Sequence, residues 1–315
     1  MNASVSSQID NYPFDRSDDR VFMPDFSGTI YTWDIDKTYL RSRFNSVLDL
    51  AKVAIELAID KYAIDGTVAL LHAIRRGPGP KPRQTPLYFV SASPPQLRKI
   101  LTKKMLLDGV EFDGITLKDQ FAYLMRLRFS HLRSQMGYKL VALLTNRREH
   151  PIAAQEILFG DDSESDAMIY WTYAKILRGE LRGAALSQEL LRAGVVPDDS
   201  KLIVQLSESI EPTDAVRRVF IHLETGKKPA DFERFTPLVV PSKSPVQAAL
   251  VLASMGEIAE QGVFDVAKEI MRRGRTTLEE LWSLVNDARA RKLVFGLWNA
   301  ALVERLFAEV ATPGQ

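Results

Sequence analysis

Residues 30–40, Ile-Tyr-Thr-Trp-Asp-Ile-Asp-Lys-Thr-Tyr-Leu, constrain the fold more than any other stretch of this 315-residue chain. An aromatic and β-branched approach predicts a buried strand, and Asp34, Asp36 and Thr38 at alternate positions predict that it runs out into a site. Side chains alternate across a strand, so both aspartates can leave its end toward one space while Ile35 stays with the core. Two carboxylates that close repel one another. A cation between them, or a proton on one, relieves the repulsion.

Two later stretches repeat the pattern. Pro86-Leu-Tyr-Phe-Val-Ser91 is an apolar run of strand length closing on a small hydroxyl residue, and Gln155-Glu-Ile-Leu-Phe159 feeds Gly160-Asp161. Residues 161–166 hold four acids in six positions, Asp161, Asp162, Glu164 and Asp166. Such crowding is costly unless a hard cation binds or the loop is fully hydrated, and hydration accounts well for Asp162 and Glu164. Apolar residues recur at helical spacing between the strands, from Phe44 to Arg76, from Leu97 to Met105 and onward from Lys139. Strand, long helical segment, strand, helix is the βαβ rhythm of a mainly parallel sheet. We therefore expect a doubly wound α/β fold with small helical insertions and a C-terminal helical extension. Its strands ending at Asp34, Ser91 and Asp161 should lie side by side, where such folds bind ligands.

The rest of the chain is read in the same terms. Residues 1–20 read as a polar arm, and Val21–Phe26 as a short strand or a clamp over the core. Ser93, ahead of Pro94 and Pro95, reads as a helix cap. Gln120–Gln135 has helical spacing, as do 167–177 and 186–191. Leu202–Leu206 suits a strand, Val216–Leu223 a strand or a helix, and Glu224–Pro229 a turn. Ser244-Pro245 starts a helix through Leu252, and residues 263–310 form two or three amphipathic helices, a subdomain or an appendage on the sheet. The expected division is a domain over 1–262, with a helical insertion at 41–80, and an extension over 263–315.

Composition removes several functions. Without cysteine, disulfides, thiolate catalysis and cysteine-ligated zinc are excluded, and the four histidines have no ligand spacing. A net charge of +1 and the absence of aromatic-basic interleaving give no reason to expect nucleic-acid binding. Gly77-Pro-Gly79 carries prolines where a nucleotide loop needs backbone donors. The first 20 residues lack the basic start and apolar core of a signal peptide, and no apolar run reaches the roughly 20 residues that cross a bilayer, so the expected location is cytoplasmic. Residues 75–133 hold 12 basic and 4 acidic residues. This local excess reads as a solvated face or as a surface that steers anionic substrates or rests on an anionic membrane.

Four segments in order, Trp33–Thr38, Phe89–Pro94, Lys139 and Phe159–Asp166, resemble the haloacid-dehalogenase-type phosphatase superfamily. Within it the chain is most similar to the catalytic domain of phosphatidate phosphatases of the yeast actin-patch type, and more distantly to lipins. The likeness spans residues 30 to about 170, continues more weakly to about 262, and finds no counterpart for the last 50 residues. It implies Mg²⁺-dependent hydrolysis of a phosphomonoester, with Asp34 as nucleophile and Asp36 as general acid and base. Ser91 and Lys139 would hold the phosphate, and Thr38 would brace the turn. Asp34, Asp161 and the backbone carbonyl of Asp36 would hold the metal, with Asp166 as a supporting or second ligand. Lys37 stands where the family usually has another aspartate, and Asp162 where serine is usual. The implied substrate is a phosphorylated small molecule or lipid. A catalytically silent binding module, recruiting a partner through its C-terminal helices, is the alternative from another class.

Overall fold

The computed structural model describes residues 8–40, 63–119, 135–163, 165–273, 276–294 and 304–308. Glu164, the first part of the expected 41–80 insertion and most of the helix expected over Gln120–Gln135 lie outside the described residues. Seven strands form one sheet: β1 (Phe14–Asp18), β2 (Thr29–Trp33), β3 (Leu87–Ser91), β4 (Gly114–Lys118), β5 (Gln155–Asp161), β6 (Val216–His222) and β7 (Val239–Ser242). Their order is β1-β4-β3-β2-β5-β6-β7, all parallel except β1, which runs antiparallel to β4.

Among the parallel strands, β2 is first in the chain and central in space. Successive strands go to one side as far as β4 and then to the other from β5, so the order reverses between β2 and β5. A doubly wound sheet binds its ligand in the crevice opened by such a reversal.

Helices cover both faces. On one lie α1 (Thr67–Arg76), α2 (Arg98–Leu107), α7 (Pro245–Ser254), α8 (Glu260–Arg272) and α9 (Leu278–Ala290), packed on Tyr31, Trp33, Phe89, Phe159 and Phe220. The other carries α3 (Gln135–Glu149), α4 (Asp166–Leu177), α5 (Gly183–Arg192) and α6 (Pro197–Glu208), packed on Val90, Leu158, Val219 and Ile221. The alternation Phe159 to one face and Leu158 to the other is the period of two that a strand imposes. The C-terminal helices α8 and α9 share the first core through Val263, Phe264, Leu281 and Val285. Helix α9 starts with a capping box: Thr277 Oγ1 accepts from the Glu280 N–H at 3.2 Å, and Glu280 accepts from the Thr277 N–H at 2.7 Å. Thr277→Ala should cost about 1 kcal/mol, read as a lowered denaturant midpoint at unchanged slope.

Two expectations are corrected, and one open alternative is decided. Residues 14–18 are not a polar arm but the edge strand β1, whose burial is partial throughout, so no apolar alternation announces it. Leu202–Leu206 is helical, inside α6, with Pro197 in its first turn and Asp198 and Asp199 beside it. Those start signals outweigh a short apolar run that fits either structure. Val21–Phe26 is the clamp rather than a strand, with Phe22 and Phe26 packed over Ile30 and Tyr88. Among the described residues no helix is long and apolar enough to cross a membrane.

Candidate active site

Three of the expected site residues lie at carboxyl ends of strands. Asp34 follows β2 directly, Ser91 closes β3 and Asp161 closes β5. The β2–β5 ladder extends to the first of them, since the Asp34 N–H donates to the Phe159 carbonyl at 2.9 Å. That carbonyl also accepts from the Tyr170 hydroxyl at 3.2 Å. Burial, and then the Asp166 charge, push Tyr170 far above the ordinary phenol range, so it remains a donor.

Asp34, Asp161 and Asp166 each offer a carboxylate oxygen within 4.8 Å of the others, and all three are buried. Lys139, 1% exposed, enters from α3 and places its ammonium 3.1 Å from Asp34 Oδ1 and 2.5 Å from Asp166 Oδ1. Among these four groups there is one ammonium for three carboxylates. Asp166 opens α4, where the amino end of the helix favours an anion, and its Oδ2 accepts from the Asp161 N–H at 3.3 Å. Asp161 is braced in turn, since its Oδ1 accepts from the Ser163 N–H at 2.5 Å. Gly160 makes this closure possible: a Cβ there would lie 2.4 Å from Asp166 Oδ2.

The donor set fits a hard divalent cation. It is all oxygen, buried and within the span of one ion's ligands.

Asp36 goes elsewhere. Its carboxylate is partly buried on the β3 side, where Oδ2 accepts from Ser93 Oγ at 2.7 Å and Ser91 Oγ at 3.2 Å. It is therefore not among the three converging carboxylates. Ser91, fully buried, also accepts the Ser93 N–H at 2.9 Å. Ser93 does not cap the following helix; its hydroxyl serves Asp36 instead. Thr38 is buried with its hydroxyl 3.5 Å from Asp34 Oδ2. Lys37 takes the left-handed conformation at φ 58° and carries the chain round the turn between Asp36 and Leu40.

The structure thus gathers Asp34, Lys139, Asp161 and Asp166, with Asp36, Ser91 and Thr38 around them. Sequence reasoning missed three features. Asp162 is not hydrated but 1% exposed. Lys118 is buried at the end of β4 with its ammonium 5.7 Å from the Tyr138 ring centroid. Tyr138 donates to the Ser91 and Thr116 carbonyls at 2.8 and 3.1 Å. Only a lysine at the carboxyl end of an otherwise apolar strand could have drawn attention to Lys118.

The family model described as phosphatidate phosphatase APP1, catalytic domain, matches residues 32–185. This segment belongs to that family. It begins just before Trp33 and ends inside α5, so it contains all four converging groups. Strands β6 and β7 and helices α6–α9 lie beyond it. No curated protein and no solved structure matches the chain.

Proposed function

We propose that this chain is a phosphatase that hydrolyses phosphomonoesters through a phosphoaspartyl intermediate on Asp34, with Mg²⁺ as its cation and phosphatidate as the first candidate substrate. The carrying observation is the buried cluster of Asp34, Asp161 and Asp166 with Lys139 at the reversal of strand order. Membership of residues 32–185 in a phosphatidate phosphatase family supports the choice of reaction. The proposed compartment is the cytoplasm.

Asp34, Asp161 and Asp166 would hold Mg²⁺, with the Asp36 carbonyl as a further candidate ligand. When bound, the ion neutralises phosphate oxygens and reduces their repulsion of the attacking carboxylate. An Asp34 oxygen forms a bond to phosphorus as the bond to the alcohol oxygen breaks, and Asp36 gives that oxygen its proton. Asp36 then takes a proton from water, whose oxygen attacks the same phosphorus; the bond to Asp34 breaks and inorganic phosphate leaves. Lys139 and the Ser91 hydroxyl hold the phosphate, and Thr38 keeps Asp34 in place.

A soluble or protein-borne phosphomonoester is the second reading, favoured by the fate of the basic region. Arg75 pairs with Asp113, Arg98 with Asp15 and Lys104 with Asp108, while Lys118 is buried. The local excess is thus partly spent inside the fold, and among the described residues exposed Arg76, Lys81, Arg83, Lys99 and Lys103 remain to meet an anionic membrane.

Phosphate release from phosphatidate vesicles and from short soluble monoesters, with Mg²⁺ or excess EDTA, tests both readings. The expected result is Mg²⁺-dependent hydrolysis, faster on phosphatidate at equal concentration, and salt-sensitive vesicle binding. Faster turnover of soluble monoesters, with no sedimentation on vesicles, would move the assignment to the second reading. No release from any monoester would remove the phosphatase assignment.

A further inference from the structure

Asp162 is a buried carboxylate that the proposed reaction does not use. It sits next to Asp161, one of the three converging carboxylates, and it is 1% exposed. Its N–H continues the sheet to the His222 carbonyl at 3.0 Å. Its carboxylate is given to the turn after β6. Oδ1 accepts from the Glu224 and Thr225 N–H groups, both at 2.9 Å, and Oδ2 accepts from the Thr225 hydroxyl at 2.8 Å. The Asp162 carbonyl accepts in turn from the Lys227 ammonium. Gly226, at φ +87°, lets the turn reverse so that Lys227 can reach back. The side chains of Glu224, Thr225, Lys227 and Lys228 are nevertheless exposed.

Burying a carboxylate costs free energy unless several donors meet it, and here backbone donors meet it from 62 and 63 residues away in the chain. The bonds make Asp162, at the end of β5, and the basic turn 224–228 one unit at the carboxyl edge of the sheet. We propose that Asp162 is a positioning residue that fixes the 224–228 turn as the β6-side rim of the active site, with the Lys227 ammonium held there to attract the anionic phosphate of the substrate. The proposal rests on the phosphatase reading for its substrate and on the bonds alone for its tether. Lys227 lies at the rim rather than among the reacting groups. Its charge acts on substrate capture, so its loss belongs in KM rather than kcat.

The test uses the full chain, with wild type, Asp162→Ala, Thr225→Val, Lys227→Met and the double variant Asp162→Ala/Lys227→Met. Thr225→Val removes one bond without emptying the site and serves if Asp162→Ala does not fold. Trypsin reads the tether without any turnover, since it can cut after Lys227 but not at Lys228-Pro229. Cleavage there should be about tenfold faster in Asp162→Ala than in wild type, with Thr225→Val between. With an aryl phosphate and Mg²⁺, Lys227→Met and Asp162→Ala should each raise KM about tenfold with kcat within about threefold, and the double variant should be no worse than Asp162→Ala. Unchanged cleavage in both Asp162→Ala and Thr225→Val overturns the tether. Faster cleavage with unchanged KM, or additive KM effects in the double variant, overturns the rim role. If wild type hydrolyses neither aryl phosphate nor phosphatidate, the phosphatase reading and the rim role fall together, and the cleavage rates still decide the tether.

Discussion

Asp34→Asn is expected to reduce turnover by at least about 10⁴-fold and to eliminate the phosphoenzyme, because an amide oxygen does not form the phosphoaspartyl bond. The substitution is nearly isosteric, and the ladder bond from the residue 34 N–H to Phe159 is independent of the side chain. The fold should therefore survive, which circular dichroism checks. Asp36→Asn is the internal contrast. Its carboxylate faces the hydroxyls of Ser91 and Ser93 rather than the converging trio. Losing proton transfer should cost about 10²- to 10⁴-fold while leaving the phosphorylation step detectable by acid quench with labelled substrate. Asp34→Asn turning over within tenfold of wild type would end the covalent mechanism.

Lys139→Met should be damaging twice. The ammonium lies between Asp34 and Asp166 at 3.1 and 2.5 Å, with every partner buried. Removing one side of a buried ion pair leaves charge uncompensated, at a cost of roughly 3–5 kcal/mol in metal-free protein. Turnover should fall by about 10²- to 10³-fold for the lost stabilisation of transferring charge. Mg²⁺, if held by the three carboxylates as proposed, would replace part of the missing positive charge. A ligand of the folded state alone stabilises it, so added Mg²⁺ should raise the melting temperature of Lys139→Met more than that of wild type. A variant with wild-type stability and activity would show that Lys139 neither balances the cluster nor holds phosphate.

The site was legible in the sequence wherever one strand end carried it. Asp34, Ser91 and Asp161 each follow a short apolar run, and the expectation that these strands lie side by side is borne out by the order β3-β2-β5. Less legible were groups whose partners come from distant segments. Asp162 reads as hydrated because nothing local shows that Glu224 and Thr225 will supply its donors. Ser93 looks like a cap because hydroxyl-proline pairs usually are, yet Asp36, 57 positions away, is the acceptor it finds. The error at Leu202–Leu206 is of another kind. A five-residue apolar run has no period to speak of, and the informative residues were the proline and acids ahead of it.

The seam between β5 and β6 has a practical side for anyone cutting the gene. The family segment stops at residue 185, whereas β5 is hydrogen-bonded along its length to β6, whose Phe220 ring stacks on Phe159 at 4.7 Å between centroids. An expression product ending there would keep every proposed catalytic side chain and lose the strand and helices that shelter half of the central sheet. Its β5 would become a bare edge with aromatic rings facing solvent, a template for pairing with its own copies. Boundaries for a catalytic fragment should therefore follow the packing, through α9 at least, and not the limits of family likeness.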